Sequence, residues 1–198
     1  YLRELDSNSE HLWSLIGQSD WNTRQADMSD RITPHLSDGA SLPFPEGSLD
    51  RITTRNTLIY VDEPKTVLTA FRRALRDGGK VHAIEGDWPM MVAEPIPAKT
   101  WACLVDAAAY ACRTPDIGRK LTGLLSQTGF TDIAMEVATR PDLEGRLLPM
   151  IRNIAGYARE AGQMDAAEID LAIALLEEAL ADNAYLVLAP QFVVAATK

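Results

Sequence analysis

Cysteine is almost absent from the 198-residue sequence. Only Cys103 and Cys112 occur; they lie nine apart in a stretch of helical pattern, so they point to opposite faces, and neither has a close His or Cys to complete a metal site. This argues for a reduced, intracellular chain with no metal centre. Long apolar runs are also lacking: no stretch of about 18 apolar residues exists to span a membrane. Residues 1–10 are polar rather than a basic and apolar leader, so secretion is not indicated and a cytoplasmic chain is expected. Positive charge is the scarcer sign, with Lys+Arg 19 against Asp+Glu 28 and a formal net charge of −9. The resulting field argues against nucleic acid or an acidic membrane as partner, local basic patches aside. What remains, 46% hydrophobic and 24% charged, is ordinary globular composition. The length allows one core and would cramp two.

The clearest helix starts at Asp62 or Glu63, carries Pro64 in its first turn, repeats Val67, Leu68, Phe71 and Leu75 on one face, and should stop at Gly78-Gly79. Strands are expected at residues 31–37, 49–54 and 80–85, and a strand, helix, strand order of this length is the usual crossover of a parallel sheet. Further on, residues 97–112 read as an apolar helix. Thr114-Pro115-Asp116 opens another that stops at Gly129, and Ile133, Met135 and Val137 alternate as a strand. Residues 146–162 read as helix interrupted by Pro149. Asp165 with Glu168 opens a helix to about residue 182, and 185–197 is a closing strand in which Pro190 demands a bulge or an edge. Residues 2–16 carry Leu2, Leu5, Leu12, Leu15 and Ile16 at helical spacing.

Between Asp38 and Trp88 the order of features is specific. Asp38-Gly39 ends a strand, and Leu42-Pro43-Phe44-Pro45-Glu46-Gly47-Ser48-Leu49-Asp50 forms a turn. A strand ending Thr54-Arg55-Asn56 follows, then Leu58 to Tyr60, the Pro-started helix, Gly78-Gly79, and a strand ending Glu85-Gly86-Asp87-Trp88. This resembles the class I S-adenosylmethionine-dependent methyltransferases of the small-molecule (ubiquinone/menaquinone-type, methyltransferase type 11) group. The stretch from Thr114 to Phe130 and the ending Gln191-Phe192-Val193-Val194 are similar to later parts of these enzymes. The resemblance covers about residues 24–198.

The resemblance implies one methyltransferase-like α/β domain over 1–198: a Rossmann-like open twisted sheet, mostly parallel with an antiparallel last strand, first strands apparently missing. It has an N-terminal helical segment at 1–18 and helical substrate-side elements at 95–112 and 141–182. S-adenosyl-L-methionine would bind outside the carboxyl ends of the strands. Asp38 stands where the family accepts a hydrogen bond from the adenine amino group, with the amides of Gly39 and Ala40 against the ring. Thr54, Arg55 and Leu58 match the strand end lining the methionine part. Tyr60 falls where the family faces substrate, or else packs. Glu85, Asp87 and Trp88 border the acceptor, and a carboxylate there serves as general base or orients the acceptor; the alternative is two solvated acids beside a core Trp. His35 and His82 are expected inside strands, while His11 could close over the site. Trp101, Tyr110, Met150 and Tyr157 would shape an acceptor pocket or simply form core.

The family's Gly-x-Gly loop occurs nowhere in the sequence, and too few residues precede Asp38 for the first two strands and their helices. Three readings follow: a stretch is skipped between residues 16 and 23, the gene is shortened, or the fold has lost cofactor binding and does another job. The first is favoured, because a truncated half-sheet would expose strand edges. The expected activity is methyl transfer to an O, N or C atom of a small organic acceptor, without metal; the alternative is a non-catalytic or repurposed methyltransferase-like ligand- or partner-binding module. The expected partner is the acceptor alone, with a homodimer left open.

Overall fold

The computed structural model describes residues 31–33 and 35–198. The expectations for residues 1–18, for His11 and for a discontinuity between 16 and 23 lie outside them. The first helix, α1 (Pro64–Ala74), starts as its sequence demands, with Pro64 at the first helical position, where a missing N–H costs nothing. Val67, Leu68, Phe71 and Ala74 are buried on one face. Arg73 in its last turn donates to the carbonyls of Leu42 (3.3 Å) and Phe44 (3.2 Å), and the Gly47 N–H donates to the Arg73 carbonyl (3.0 Å). The proline-rich turn is thereby clamped to the helix.

The helix ends earlier than the glycines suggest. Leu75 is fully buried and opens β2 (Leu75–Gly86), and Gly78 (φ +72°) lies within that strand rather than closing the helix. β1 (Leu49–Arg55) pairs with β2 in parallel. β6 (Gln191–Thr197) runs antiparallel to β2 on one side and to β4 (Thr131–Ala138) on the other, giving the order β1-β2-β6-β4. The described part of residues 31–37 is irregular rather than a strand. Its last residue, Ser37, opens a turn: the hydroxyl accepts from the Gly39 N–H at 3.0 Å and donates to the Ser41 carbonyl at 2.9 Å.

α1 and α3 (Ile117–Gln127) cover one face of this sheet. There Leu68, Phe71, Val81, Leu121, Leu125 and Val194 form a core cluster, each such side chain contributing about 1.5–3 kcal/mol on burial. At Gly118 a Cβ would stand 2.5 Å from the Phe192 ring and 3.0 Å from the Gly86 carbonyl oxygen. Glycine is what lets the start of α3 rest directly on the ends of β2 and β6.

A second layer holds α2 (Ala98–Ala108), α4 (Leu148–Ala161) and α5 (Ala166–Ala181) around a ribbon of β3 (Val92–Glu94) antiparallel to β5 (Leu186–Leu188). Trp101, Leu104, Ile151, Ile154, Ile169 and Leu176 are its core. The expected closing strand at 185–197 is therefore two strands. Pro190 cannot donate to a ladder, and the chain changes sheets there. Pro149 starts α4 instead of interrupting it, being its second residue. Asp165 caps α5 by accepting from the Ala167 N–H at 2.7 Å. Among the described residues no helix is long and apolar enough to cross a membrane.

Candidate active site

At the carboxyl end of β1 the chain turns through Asn56 (φ +48°), whose N–H donates to the Ile84 carbonyl at 2.9 Å. A helical turn, Leu58–Tyr60, follows. Its leading amides, Thr57 and Leu58, donate to Oε1 of Glu85 at 3.0 and 2.9 Å. Glu85 is fully buried and its Oε2 has no partner. Burial pushes its carboxyl above the usual range, against the lowering by the amides of Leu58, Thr57 and Ile59.

Two residues further, just past the end of β2, Asp87 is also buried, but it is paired. Nε and Nη2 of Arg119 donate to its two oxygens at 2.6 and 2.5 Å, and the Arg119 backbone N–H adds a 3.4 Å contact. The hydrogen bond to Asp87 holds the guanidinium above its ordinary value. This contact puts a carboxylate at the N-terminal turn of α3, where the helix dipole favours it. The loop before α3 is tied in as well. The Trp88 N–H donates to the Pro115 carbonyl (3.0 Å), and the N–H groups of Arg113 and Thr114 donate to the Ile59 carbonyl (2.9 and 3.0 Å).

These loops enclose a cavity of about 200 Å³. Asn56, Tyr60, Asp87, Trp88 and Gln191 line it from the sheet side, and Met150, Asn153 and Ile154 of α4 from the other. Burial is the first cause raising the Tyr60 hydroxyl, so it stays protonated and able to donate. Gln191 donates through Nε2 to the Pro190 carbonyl at 3.4 Å, while its buried Oε1 has no partner. The cavity thus offers neutral amides, one phenol and a carboxylate already matched by a guanidinium. That donor set suits a small polar molecule that carries an N–H or O–H.

Of the residues expected from the sequence, Tyr60, Asp87 and Trp88 meet at this cavity. Glu85 lies beneath its floor and does not line it, because strand alternation turns its side chain to the helix-covered face with Val81 and Ala83. Leu58 is fully buried in the core, so its side chain is not available to a ligand; its amide serves Glu85. Thr54 is buried with an unpartnered Oγ1, whereas Arg55 is exposed on the opposite face of β1. Asp38 is exposed on a turn rather than at a strand end. Its Oδ1 accepts from the N–H groups of Ala40 (3.0 Å) and Ser41 (2.8 Å), while Gly39 (φ +81°) packs near Val67 at the start of α1. His35 is not in a strand and meets Phe44 edge-on at 5.3 Å; His82 is half-buried within β2. Met150 reaches the cavity; Tyr110 and Tyr157 meet edge-on and do not line it, although the Tyr157 hydroxyl accepts from Nδ2 of the lining residue Asn153 at 3.4 Å. Sequence reasoning missed Asn56, Asn153, Gln191 and Arg119. An Asn directly after a strand, suited to positive φ, was the available signal for the first.

A family model described as a methyltransferase domain matches residues 17–83. Among solved structures, the YcgJ protein of Bacillus subtilis is 13% identical with a TM-score of 0.59, over 93% of this chain and 78% of its own. The [4+2]-cyclase SpnF is 18% identical with a TM-score of 0.54, over 92% of this chain and 62% of its own. A candidate methyltransferase from Bacillus halodurans C-125 is 12% identical with a TM-score of 0.53, over 85% and 78%. An uncharacterised 37.1 kDa protein in transposon TN4556 of Streptomyces fradiae is 30% identical over 106 residues. The chain spans 29% of that relative's length, and the match takes in 50% of the chain. The fold is the Rossmann-like open α/β sheet of class I S-adenosylmethionine-dependent methyltransferases, and the sequence resembles that family.

Proposed function

We propose that the chain serves S-adenosylmethionine-dependent methyl transfer to an O, N or C atom of a small organic acceptor, in the cytoplasm. The observation that carries the reading is the cavity itself, which lies outside the carboxyl ends of parallel β1 and β2 in a methyltransferase fold. The cofactor supplies a methyl group on a sulfonium, open to in-line attack. The Asp38 turn fits its adenine end: one oxygen is used by the turn's own amides, and the exposed carboxylate can accept from an exocyclic amine. On the acceptor side, the Gln191 Oε1 takes an N–H or O–H of the acceptor and the protonated Tyr60 donates to its heteroatom. Trp88 and Met150 supply apolar walls. Asp87 orients rather than deprotonates, since both its oxygens are held by Arg119. Rate enhancement then rests chiefly on positioning.

A second reading, a methyltransferase-like module that does other chemistry, is favoured by the likeness to SpnF, a [4+2]-cyclase. Calorimetric titration with S-adenosylhomocysteine separates the two. Saturable binding that weakens in Asp38→Ala by about 1–3 kcal/mol, the cost of one lost hydrogen bond to a charged group, supports methyl transfer. Absence of binding overturns it in favour of the second.

A further inference from the structure

Beside the acceptor cavity lies a second one of about 260 Å³, and Met91 is a wall common to both. It opens between β3 and α2, where Met91, Ala93, Ile96, Trp101 and Val105, all buried, give it an apolar interior. The Trp101 Nε1–H donates to the Met91 carbonyl at 2.9 Å, so the largest ring has its one polar atom satisfied within the wall. Apolar cavities of about 150 Å³ already hold benzene; this volume suits one ring with a short chain. Two exposed carboxylates, Glu94 and Asp106, also line it, and no Lys, Arg or His does. Neither carboxylate is in an ion pair among the described residues.

We propose that this cavity binds a small hydrophobic amine, its ring in the apolar interior and its ammonium toward Glu94 and Asp106. A neutral ring of the same shape would forgo both carboxylates, and an anion would meet them with like charge in a chain of net charge −9. The inference stands apart from the methyl-transfer reading, because neither the Asp38 turn nor Gln191 enters it. The Met91 wall puts the amine next to the acceptor cavity.

Three probes with one body and different heads test it by calorimetry on the whole chain at low salt: 3-phenylpropylamine, 3-phenylpropanol and 3-phenylpropionate. The amine should bind about tenfold tighter than the alcohol, as two partly exposed ion pairs would give, and the carboxylate should give no measurable heat. Glu94→Gln with Asp106→Asn should bring the amine to the alcohol's affinity. Ala102→Trp, at an exposed position on the cavity wall, should abolish binding of both with the far-ultraviolet spectrum unchanged. Equal affinity for amine and alcohol, no binding of the amine, or an Ala102→Trp variant that binds as wild type would each overturn the proposal.

Discussion

Asp87 and Arg119 form one ion pair but stand in unequal surroundings: the Asp87 side chain is 0% exposed and that of Arg119 46%. Removing the guanidinium strands a charge in the interior, whereas removing the carboxylate charge lets the guanidinium turn to water. Arg119→Leu should therefore cost about 3–5 kcal/mol. Asp87→Asn, which keeps shape and an acceptor, should cost about 1–3 kcal/mol. Urea denaturation midpoints at neutral pH check this ordering, and an Asn variant as destabilised as the Leu variant would contradict it. Asp87 was legible from its place after β2. Its partner was not, because Arg119 is 32 positions away and reaches it only through the close seating that Gly118 permits. Glu85 was legible as a candidate, but where its side chain goes was not. Alternation along β2 turns it inward to hold the Thr57 and Leu58 amides, and it does not line the cavity beside Asp87.

Among the elements, α4 begins without a side-chain cap of its own, and Asp142 supplies the missing anion from the preceding loop. Its carboxylate accepts from the Leu147 N–H (2.6 Å), the Glu144 N–H (3.1 Å) and the Tyr185 hydroxyl (3.1 Å). Its backbone pairs both ways with Val187, linking the loop to β5. Burial acts to raise the Asp142 carboxyl, but the N–H groups of Leu147, Glu144 and Arg146 and the Tyr185 hydroxyl together hold it below the ordinary 3.8. A carboxyl lowered in the fold contributes stability that is complete above its unfolded value and is lost as pH falls toward its folded one. Asp142→Asn should lower stability by about 1–3 kcal/mol at neutral pH and flatten the loss of melting temperature below about pH 4. A melting curve against pH that keeps its acid slope in the variant would assign that slope to other groups. The start and the buried face of α1 were legible because proline and apolar spacing agree; its end was not, because residues 75–79 go into β2 instead of the last turn of the helix. The ribbon of β3 and β5 was not: strands of three residues carry no periodicity, and only their pairing defines them. Residues 31–37 read as a strand in the sequence, but no described strand pairs with their described part, and pairing is what makes a strand.

At the scale of the whole molecule, two apolar clusters divide the described chain. One lies between the sheet and α1 with α3, the other among α2, α4, α5 and the ribbon. The polypeptide crosses between them repeatedly, at residues 87–91, 112–116, 139–147 and 189–190. Among the described residues Trp88 is the partly buried side chain that packs against both clusters, and it also lines the cavity beside Asp87. The layers meet at that cavity, so its lining and the cooperativity of the fold depend on the same ring. Trp88→Ala should cost about 3 kcal/mol, the low end for a large aromatic because the ring is only half-buried. The loss should also be uneven. With the shared contact gone, α4 and α5 are left to open without the sheet, as a unit of lower local stability. Hydrogen exchange followed by mass spectrometry reads this directly. In the wild type the most protected amides of α4 and of β2 should exchange with similar free energies; in Trp88→Ala, protection in α4 should fall further than in β2 and β6. An equal fall in both layers would mean that the loops at 112–116 and 139–147, not Trp88, hold the two cores together.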